Sequence, residues 1–324
     1  MTDLKKVEFG HAKALSLSVY TFYKFLNIER AEVESIRLKI LEFGAQNSLE
    51  GLVIFGHEGI NATISGMKPQ LEVFMNELAA LLKLSKLEIK ESRSDFAPFK
   101  SFKVKVREEI VSLGKPEIQP LNKNNHLSPK EFNQAMSEEG VVVLDTRNWY
   151  ETKIGKFKNA LDPKIDEFNE FPEYLKKSQI PKEKKLLIYC TGGIRCEKAI
   201  VEMQAQGFEN VYQLDGGILK YIEEFPNQNF EGECFVFDHR VAVDQELKPT
   251  QNFKMCPHCG QPSGDKIACR KCNHDAWICE SCFQDENLQT CSKNCAHHYR
   301  RKPFVKGRRQ LQGHRYEVTK LRGL

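Results

Sequence analysis

The sequence predicts a mixed α/β and α+β chain in three parts: a ferredoxin-like β-α-β-β-α-β domain, a small α/β domain with a parallel sheet, and a short cysteine-rich module. Three observations carry that reading. Strand and helix periodicities alternate in the ferredoxin-like order between Leu15 and Val111. Beyond Ser128, short uninterrupted apolar runs alternate with helical stretches, which suits strands buried on both faces. Eight of the eleven cysteines fall between Cys256 and Cys295. At 324 residues the chain exceeds what one core usually holds. With 40% hydrophobic and 28% charged residues, disordered and collagen-like classes are excluded. No run reaches the roughly 18 apolar residues of a membrane span, and residues 1–10 lack the apolar core of a secretory signal. A cytoplasmic location and no membrane partner are expected.

In the first domain, Leu15, Leu17 and Val19 alternate with serines, the period of a strand. Val33, Ile36, Ile40 and Leu41 recur at helical spacing, and Gly44 is placed to cap that helix. Two strands follow at 52–55 and 60–65, joined by Gly56-His57-Glu58-Gly59. Pro69 can open a second helix whose face is Leu71, Phe74, Leu78 and Leu82. Strands at 86–90 and 102–107 complete the sheet, the last with Phe102, Val104 and Val106 on one face and Lys103, Lys105 and Arg107 on the other. That basic stripe suits RNA phosphates. Residues 1–114 form this domain, and the polar, proline-containing residues 115–127 read as a linker. The second domain spans 128–226. It opens on the capped helix start Ser128-Pro129-Lys130-Glu131 and places strands at 141–144, 186–189 and 211–214. A connecting segment at 227–252 leads to the cysteine-rich module at 253–299 and a basic tail at 300–324.

The strand at 186–189 runs into Cys190-Thr191-Gly192-Gly193-Ile194-Arg195-Cys196, and a helical stretch follows. Strand, glycine-rich turn and helix N-terminus make an anion cradle, because consecutive backbone N–H groups point inward and the helix dipole adds positive potential. A cysteine at its mouth ionises more readily and becomes a better nucleophile at neutral pH, and Arg195 adds to the effect. Cysteine phosphatases carry one residue more between cysteine and arginine, a ring wide enough for a tetrahedral phosphate. The tighter ring here suits sulfur on sulfur and points to sulfane-sulfur or cysteine-redox chemistry. Cys196 is placed either as a resolving thiol or as a small buried residue behind the loop. Asp145, Arg147 and Glu151 form a charge cluster at a strand end, expected to brace the loop by ion pairs.

These residues resemble a known family. Residues 190–199, CTGGIRCEKA, are similar to the rhodanese loop in the form carried by the rhodanese-domain tRNA uridine(34) hydroxylases of the TrhO type. The D-T-R-N-x-Y-E segment at 145–151, the segment at 155–160 and residues 207–218 extend the resemblance through the second domain. Glu58-Gly59-Ile60-Asn61 and residues 102–106 extend it into the first. At Lys156 this chain departs from general rhodaneses, which have histidine there. The resemblance implies a rhodanese domain, Cys190 as the persulfide-forming cysteine, and Glu58 and Asn61 facing the loop across a domain interface. It also implies oxygen-dependent 5-hydroxylation of the wobble uridine, with tRNA as partner and molecular oxygen as co-substrate. No flavin, haem or nucleotide motif is present in the sequence. Residue chemistry keeps two alternatives open, a sulfurtransferase passing a Cys190 persulfide to an acceptor and a non-enzymatic zinc-finger adaptor.

In the last module the spacing is Cys256-x2-Cys259-x9-Cys269-x2-Cys272-x6-Cys279-x2-Cys282-x8-Cys291-x3-Cys295. Each close pair can clip one edge of a tetrahedral zinc site, so the eight thiolates suit two structural zinc ions. Sequential and cross-braced pairing both satisfy the spacing. The net charge of +4 is uneven, because residues 300–324 hold nine Lys/Arg against one acid. Arg300, Arg301, Lys302, Arg308 and Arg309 make that tail a candidate RNA contact.

Overall fold

The computed structural model describes residues 16–122 and 124–300. The chain divides into two compact units, Met1–Lys254 and Met255–Leu324. A sheet with one apolar face needs a second layer to bury it, and the N-terminal strands find that layer in two helices. The elements are β1 (Leu17–Phe25), α1 (Val33–Gln46), β2 (Glu50–Gly56), β3 (Gly59–Gly66), α2 (Lys68–Leu81), β4 (Lys90–Ser94) and β5 (Phe102–Val106). They build a sheet of order β4-β1-β3-β2-β5. The first four strands pair antiparallel in the ferredoxin-like order, and β5 joins β2 in parallel as an added edge. One face packs Phe22, Val53, Phe55 and Ile64 with Ile40 of α1 and Leu71, Phe74 and Leu78 of α2.

The other face matters for function. In register across it lie Tyr23, Asn61 and Ile54, then Lys105 of β5. One pair further along come Thr21, Thr63, Leu52 and Lys103. Two local expectations fail here. The fourth strand is Lys90–Ser94 rather than 86–90, because its inward positions are Ser92 and Ser94, which carry no apolar period. Gly44 lies inside α1 and does not cap it. A Cβ there would fall 2.3 Å from the Phe102 ring, so the missing side chain makes room for β5.

The second domain runs β6 (His126–Leu127), α3 (Pro129–Ala135), β7 (Val142–Asp145), α4 (Trp149–Thr152), β8 (Gly155–Phe157), α5 (Phe171–Lys177), β9 (Leu186–Tyr189), α6 (Ile194–Ala205), β10 (Val211–Leu214) and α7 (Gly217–Glu224). Its main sheet, β6-β10-β9-β7, is parallel throughout. All four residues of the central β9 are buried. Leu186 and Ile188 join the core with Leu175, Ala199 and Met203 of α5 and α6. Leu187 and Tyr189 join the opposite core with Phe132, Ile218 and Ile222 of α3 and α7. The capping box expected at α3 is present, with Ser128 N donating to Glu131 at 2.8 Å.

The polar stretch before α3 is not a free tether. Leu113 and Ile118 are buried in the α5–α6 core, and Asn125 Nδ2 donates to the Val211 carbonyl at 2.9 Å. The connecting segment also returns to the domain: β11 (Phe230–Gly232) pairs with β8, Phe230 opposite Phe157. Phe157 is fully buried, and the rings of Tyr189 and Tyr221 each stand edge-on to it at 4.7 Å. In the unit Met255–Leu324, Lys266–Ala268 pairs with Asp275–Trp277, and α8 (Glu280–Phe283) and α9 (Lys293–Arg300) follow. Its buried apolar cluster is small, mainly Ala276 and Ile278 among cysteines. Among the described residues no helix is long and apolar enough to cross a membrane.

Truncating the hub ring leaves a cavity among four aromatic neighbours, Phe132, Tyr189, Tyr221 and Phe230. Phe157→Ala should therefore cost about 3–5 kcal/mol, read as a lowered urea midpoint, whereas Phe157→Leu should lose clearly less.

Candidate active site and metal centres

The loop that follows β9 is enclosed from three sides. Cys190 is only 1% exposed, and the Gly193 N–H donates to its sulfur at 3.1 Å. Gly193 has φ of 101°, a conformation natural to glycine, and a Cβ there would lie 2.9 Å from the Tyr23 hydroxyl. The N-terminus of α7 meets the same loop. Ile218 N and Leu219 N donate to the carbonyls of Cys190 and Thr191, at 3.0 and 3.1 Å. That approach requires Gly217, since a Cβ would stand 2.6 Å from the Cys190 carbonyl oxygen. The carbonyls are thereby turned to α7, and amides are left to face the sulfur. Burial pushes the Cys190 thiol up, but the Cys196 thiol, the Arg195 charge and the Arg195 and Cys196 amides together bring it down to about 6. Burial and the neighbouring Cys190 hold Cys196 well above the usual thiol range. The two thiols are therefore unequal, one ionised and one protonated at pH 7.

Arg195 is clamped as well as charged. Its two terminal nitrogens reach both oxygens of Glu151 at 2.7 and 2.8 Å, and both side chains are buried. Glu151 also accepts from Asn148 N at 3.1 Å, so α4 fixes the guanidinium beside the sulfur. Asp145 and Arg147 form a second buried pair at 2.7 Å, and Arg147 donates to the Gly155 carbonyl at 2.6 Å. This pair ties β7 to β8. Thr146 donates to the Tyr189 carbonyl at 3.0 Å and contacts the Cys196 sulfur at 3.7 Å, coupling the brace to the loop. Lys156, which stands at the rhodanese histidine position, donates to the Ala160 carbonyl at 3.4 Å. Cys234 is buried, and burial pushes its thiol up to about 12, so it is inert packing.

The helix-free face of the N-terminal sheet closes over the loop. Tyr23, Leu52, Ile54, Asn61, Thr63 and Arg107 line a cavity of about 520 Å³ whose opposite wall holds Cys190, Thr191, Gly192, Ile194 and Arg195. Asn61 borders this cavity and donates to the Ile110 carbonyl at 3.0 Å. Glu58 meets α6 rather than the loop itself. Lys198, 0% exposed, lies 2.8 Å from carboxylate oxygens of both Glu58 and Glu109. Tyr23 donates to Glu197 at 2.8 Å, which also contacts His126 at 3.0 Å. Lys103 and Lys105 are exposed and flank Leu52 and Ile54 on the cavity face. Sequence reasoning missed Tyr23, Glu109, Lys198 and Gly217. A lysine on a helix and a tyrosine on a strand carry no signal of which partner a distant segment supplies.

The cysteine module resolves into two cross-braced sets, Cys256, Cys259, Cys279 and Cys282, and Cys269, Cys272, Cys291 and Cys295. The ligand atoms of each set lie within 4.8 Å of one another. Sulfur separations of 3.4 Å for Cys259–Cys279 and 3.5 Å for Cys272–Cys291 are far longer than the ~2.05 Å of a disulfide. They approach the ~3.8 Å edge of a tetrahedron with 2.3 Å metal–sulfur bonds. Four sulfurs each would leave no open coordination position. His258 contacts the Thr290 carbonyl at 2.8 Å and His274 contacts the Cys272 sulfur at 3.3 Å, while each set of mutually close ligand atoms consists of four cysteines. Arg300 lies 3.8 Å from Asp285. Arg301, Lys302, Arg308 and Arg309 lie outside the described residues.

Three family models match this chain: a UPF0176 acylphosphatase like domain over residues 17–110, a rhodanese-like domain over 128–224, and a rhodanase C-terminal region over 231–296. A protein of Bdellovibrio bacteriovorus, "tRNA uridine(34) hydroxylase", is 48% identical over 316 residues, 96% of this chain and 90% of that protein. Proteins of the same description from Legionella pneumophila and Picosynechococcus are 43% and 42% identical. They align with 71% and 75% of this chain, and with 91% and 82% of their own lengths.

Two measurements test the site. The rate of Cys190 alkylation should rise with pH through a midpoint near 6, and Cys196→Ala, which removes the strongest of the lowering contacts, should move it upward. Because the folded value lies below the unfolded ~8.5, the ionised thiol adds stability above that value, lost as pH falls through about 6. Elemental analysis should find about two metal ions per chain, and chelation should release both together with eight titratable thiols and melt the module.

Proposed function

The chain belongs to the tRNA uridine(34) hydroxylase family, and from that premise we propose that it hydroxylates the wobble uridine of tRNA at C5, with Cys190 as the reactive residue. The observation that carries the assignment to this site is geometric: Cys190, with the Gly193 amide on its sulfur, stands at the wall of a cavity about 520 Å³ in volume, opposite a sheet face that bears Arg107. A wobble base is single-stranded and can be splayed out of its loop. The cavity is large enough to receive it, and the Lys103–Lys105–Arg107 stripe beside it is suited to the flanking phosphates. The Arg300–Arg309 cations add further RNA contacts in this reading.

The reaction class follows from atom balance. Replacing C5–H by C5–OH with molecular oxygen leaves the second oxygen atom to become water, which takes two electrons and two protons. Oxidation of the Cys190 thiolate and the Cys196 thiol to one disulfide would supply both electrons and one proton, with the second proton taken from solvent; in this reading the chain is an oxygen-dependent oxidoreductase. Arg195 and Glu151 hold the loop charge, Asp145 and Arg147 hold the strands beneath it, and Glu58 and Asn61 hold the facing wall. Two zinc ions, one in each four-cysteine set, would serve structure and leave the chemistry to the thiols. The enzyme would act where its tRNA is, in the cytoplasm.

Nucleoside analysis of tRNA decides the reading. In cells lacking their own hydroxylases for this position, the wild-type chain should restore 5-hydroxyuridine and Cys190→Ser should restore none. Restoration of a thiolated base instead would assign the chain to sulfur transfer. Lys103→Ala with Lys105→Ala should weaken tRNA binding and flatten the log–log salt slope by roughly 0.7 for each phosphate no longer neutralised, with Cys190 alkylation unchanged.

A further inference from the structure

Past β11 the chain crosses the mouth of the active-site cavity, and one aromatic ring there is left uncovered. Phe237 is 60% exposed and lines the same cavity as Cys190. Exposure alone does not single it out, since Phe96 and Phe283 are exposed too; what does is its place on the wall of the cavity that holds Cys190 and the contacts that fix it there. Its neighbours Asp238 and Arg240 form a buried ion pair at 2.6 Å, and Arg240 donates to Ser92 of β4 at 2.7 Å. His239 N donates to the Pro98 carbonyl at 2.9 Å. Phe235 stands edge-on behind the ring at 5.0 Å. The Arg195 guanidinium lies over the ring, 5.6 Å from its centroid, so the reactive loop and the aromatic platform are fixed to each other.

We infer that Phe237 is the stacking platform for the target pyrimidine, holding the splayed base flat at the cavity mouth with its edge toward Cys190. This rests on the tRNA reading above and adds a substrate-contacting residue to it. An aromatic face accepts any base, so the ring supplies affinity and orientation. Half-buried Phe99 lines the same cavity, and Arg107 on its wall supplies charge for the flanking phosphate. An apolar partner protein would not call for that charge, whereas a single-stranded RNA segment uses both aromatic and cation.

The test uses the full chain and an anticodon stem-loop carrying 5-bromouridine at the wobble position. On irradiation the crosslink should map to the peptide containing Phe237 and should vanish in Phe237→Ala. In cells, Phe237→Ala should cut wobble hydroxylation roughly ten- to hundredfold while Phe237→Trp retains most of it. Both variants should keep the wild-type far-ultraviolet circular dichroism spectrum and metal content, which shows that the fold is intact. If wild type modifies tRNA and Phe237→Ala does so equally well, the platform is overturned and the family reading stands. If the wild-type chain modifies no tRNA, the family reading falls and the platform with it.

Discussion

A thiol that water barely touches must find elsewhere what water would give its anion, and the architecture of the second domain follows from that requirement. Burial alone would hold Cys190 protonated at neutral pH. The opposing contributions are all short-range: a Gly193 amide at 3.1 Å, the Cys196 thiol, and a guanidinium fixed in direction by Glu151. Each depends on the loop closing into a ring, and the ring is closed from below by α7, whose amides take the Cys190 and Thr191 carbonyls. The parallel sheet matters here because it ends β9 and starts α6 and α7 at one edge, the usual site of chemistry in such sheets. Glu151 adds a second restraint. An unpaired arginine beside a thiolate would sample many geometries, whereas a bidentate pair allows one.

The same economy governs the contact between the first two domains. Lys198 is buried with Glu58 and Glu109, an arrangement that desolvates three charges at a cost of several kcal/mol for each ion before their attraction is counted. Apolar residues would join two domains more cheaply. What the charges add is register: a slip of the β2–β3 turn would take Glu58 from Lys198 and leave the buried lysine with Glu109 alone. Tyr23 works alongside them, since its hydroxyl both reaches Glu197 and lies against Gly193. The cavity wall is thereby set against the loop to within a hydrogen bond, and the volume between them is a property of the docked pair of domains.

How much of this was legible in the sequence depends on range. The Cys190 loop was readable because its glycines, cysteine and arginine are contiguous, and the cysteine module because metal chemistry repeats at short spacing. The ferredoxin-like order was readable from periodicity wherever the inward residues are apolar. It failed at β4, where serines face in, and at Gly44, whose reason is a ring fifty-eight residues away in β5. Residues 115–127 looked like a tether because polar composition hides Ile118 among them, though it is buried. Cross-bracing, and the partners of Lys198 and Tyr23, are long-range facts with no local trace. Glu58 lies between these cases, since resemblance brought it to the domain interface and only geometry showed that its partner is α6.

These two scales of legibility also separate what the chain shares from what it owns. A tight cysteine ring on a parallel sheet supports sulfur transfer as readily as oxidation, so the loop alone does not choose a substrate. The choice lies in the facing wall. A small acceptor needs an open, shallow approach to the sulfur, whereas here a sheet face with Asn61, Thr63 and Arg107 stands opposite and the Phe237 strap crosses the mouth. That wall is mixed, apolar at Leu52 and Ile54 and polar at Asn61 and Thr63, which suits a base with apolar faces and a polar edge. Lys103 and Lys105 place charge where a polymer's neighbouring phosphates would run, a feature of no use to a single small molecule. In the proposed reading the N-terminal domain is the part that turns a general thiol site into one for a nucleotide within a strand, and the buried charges that lock it in place would serve specificity before stability.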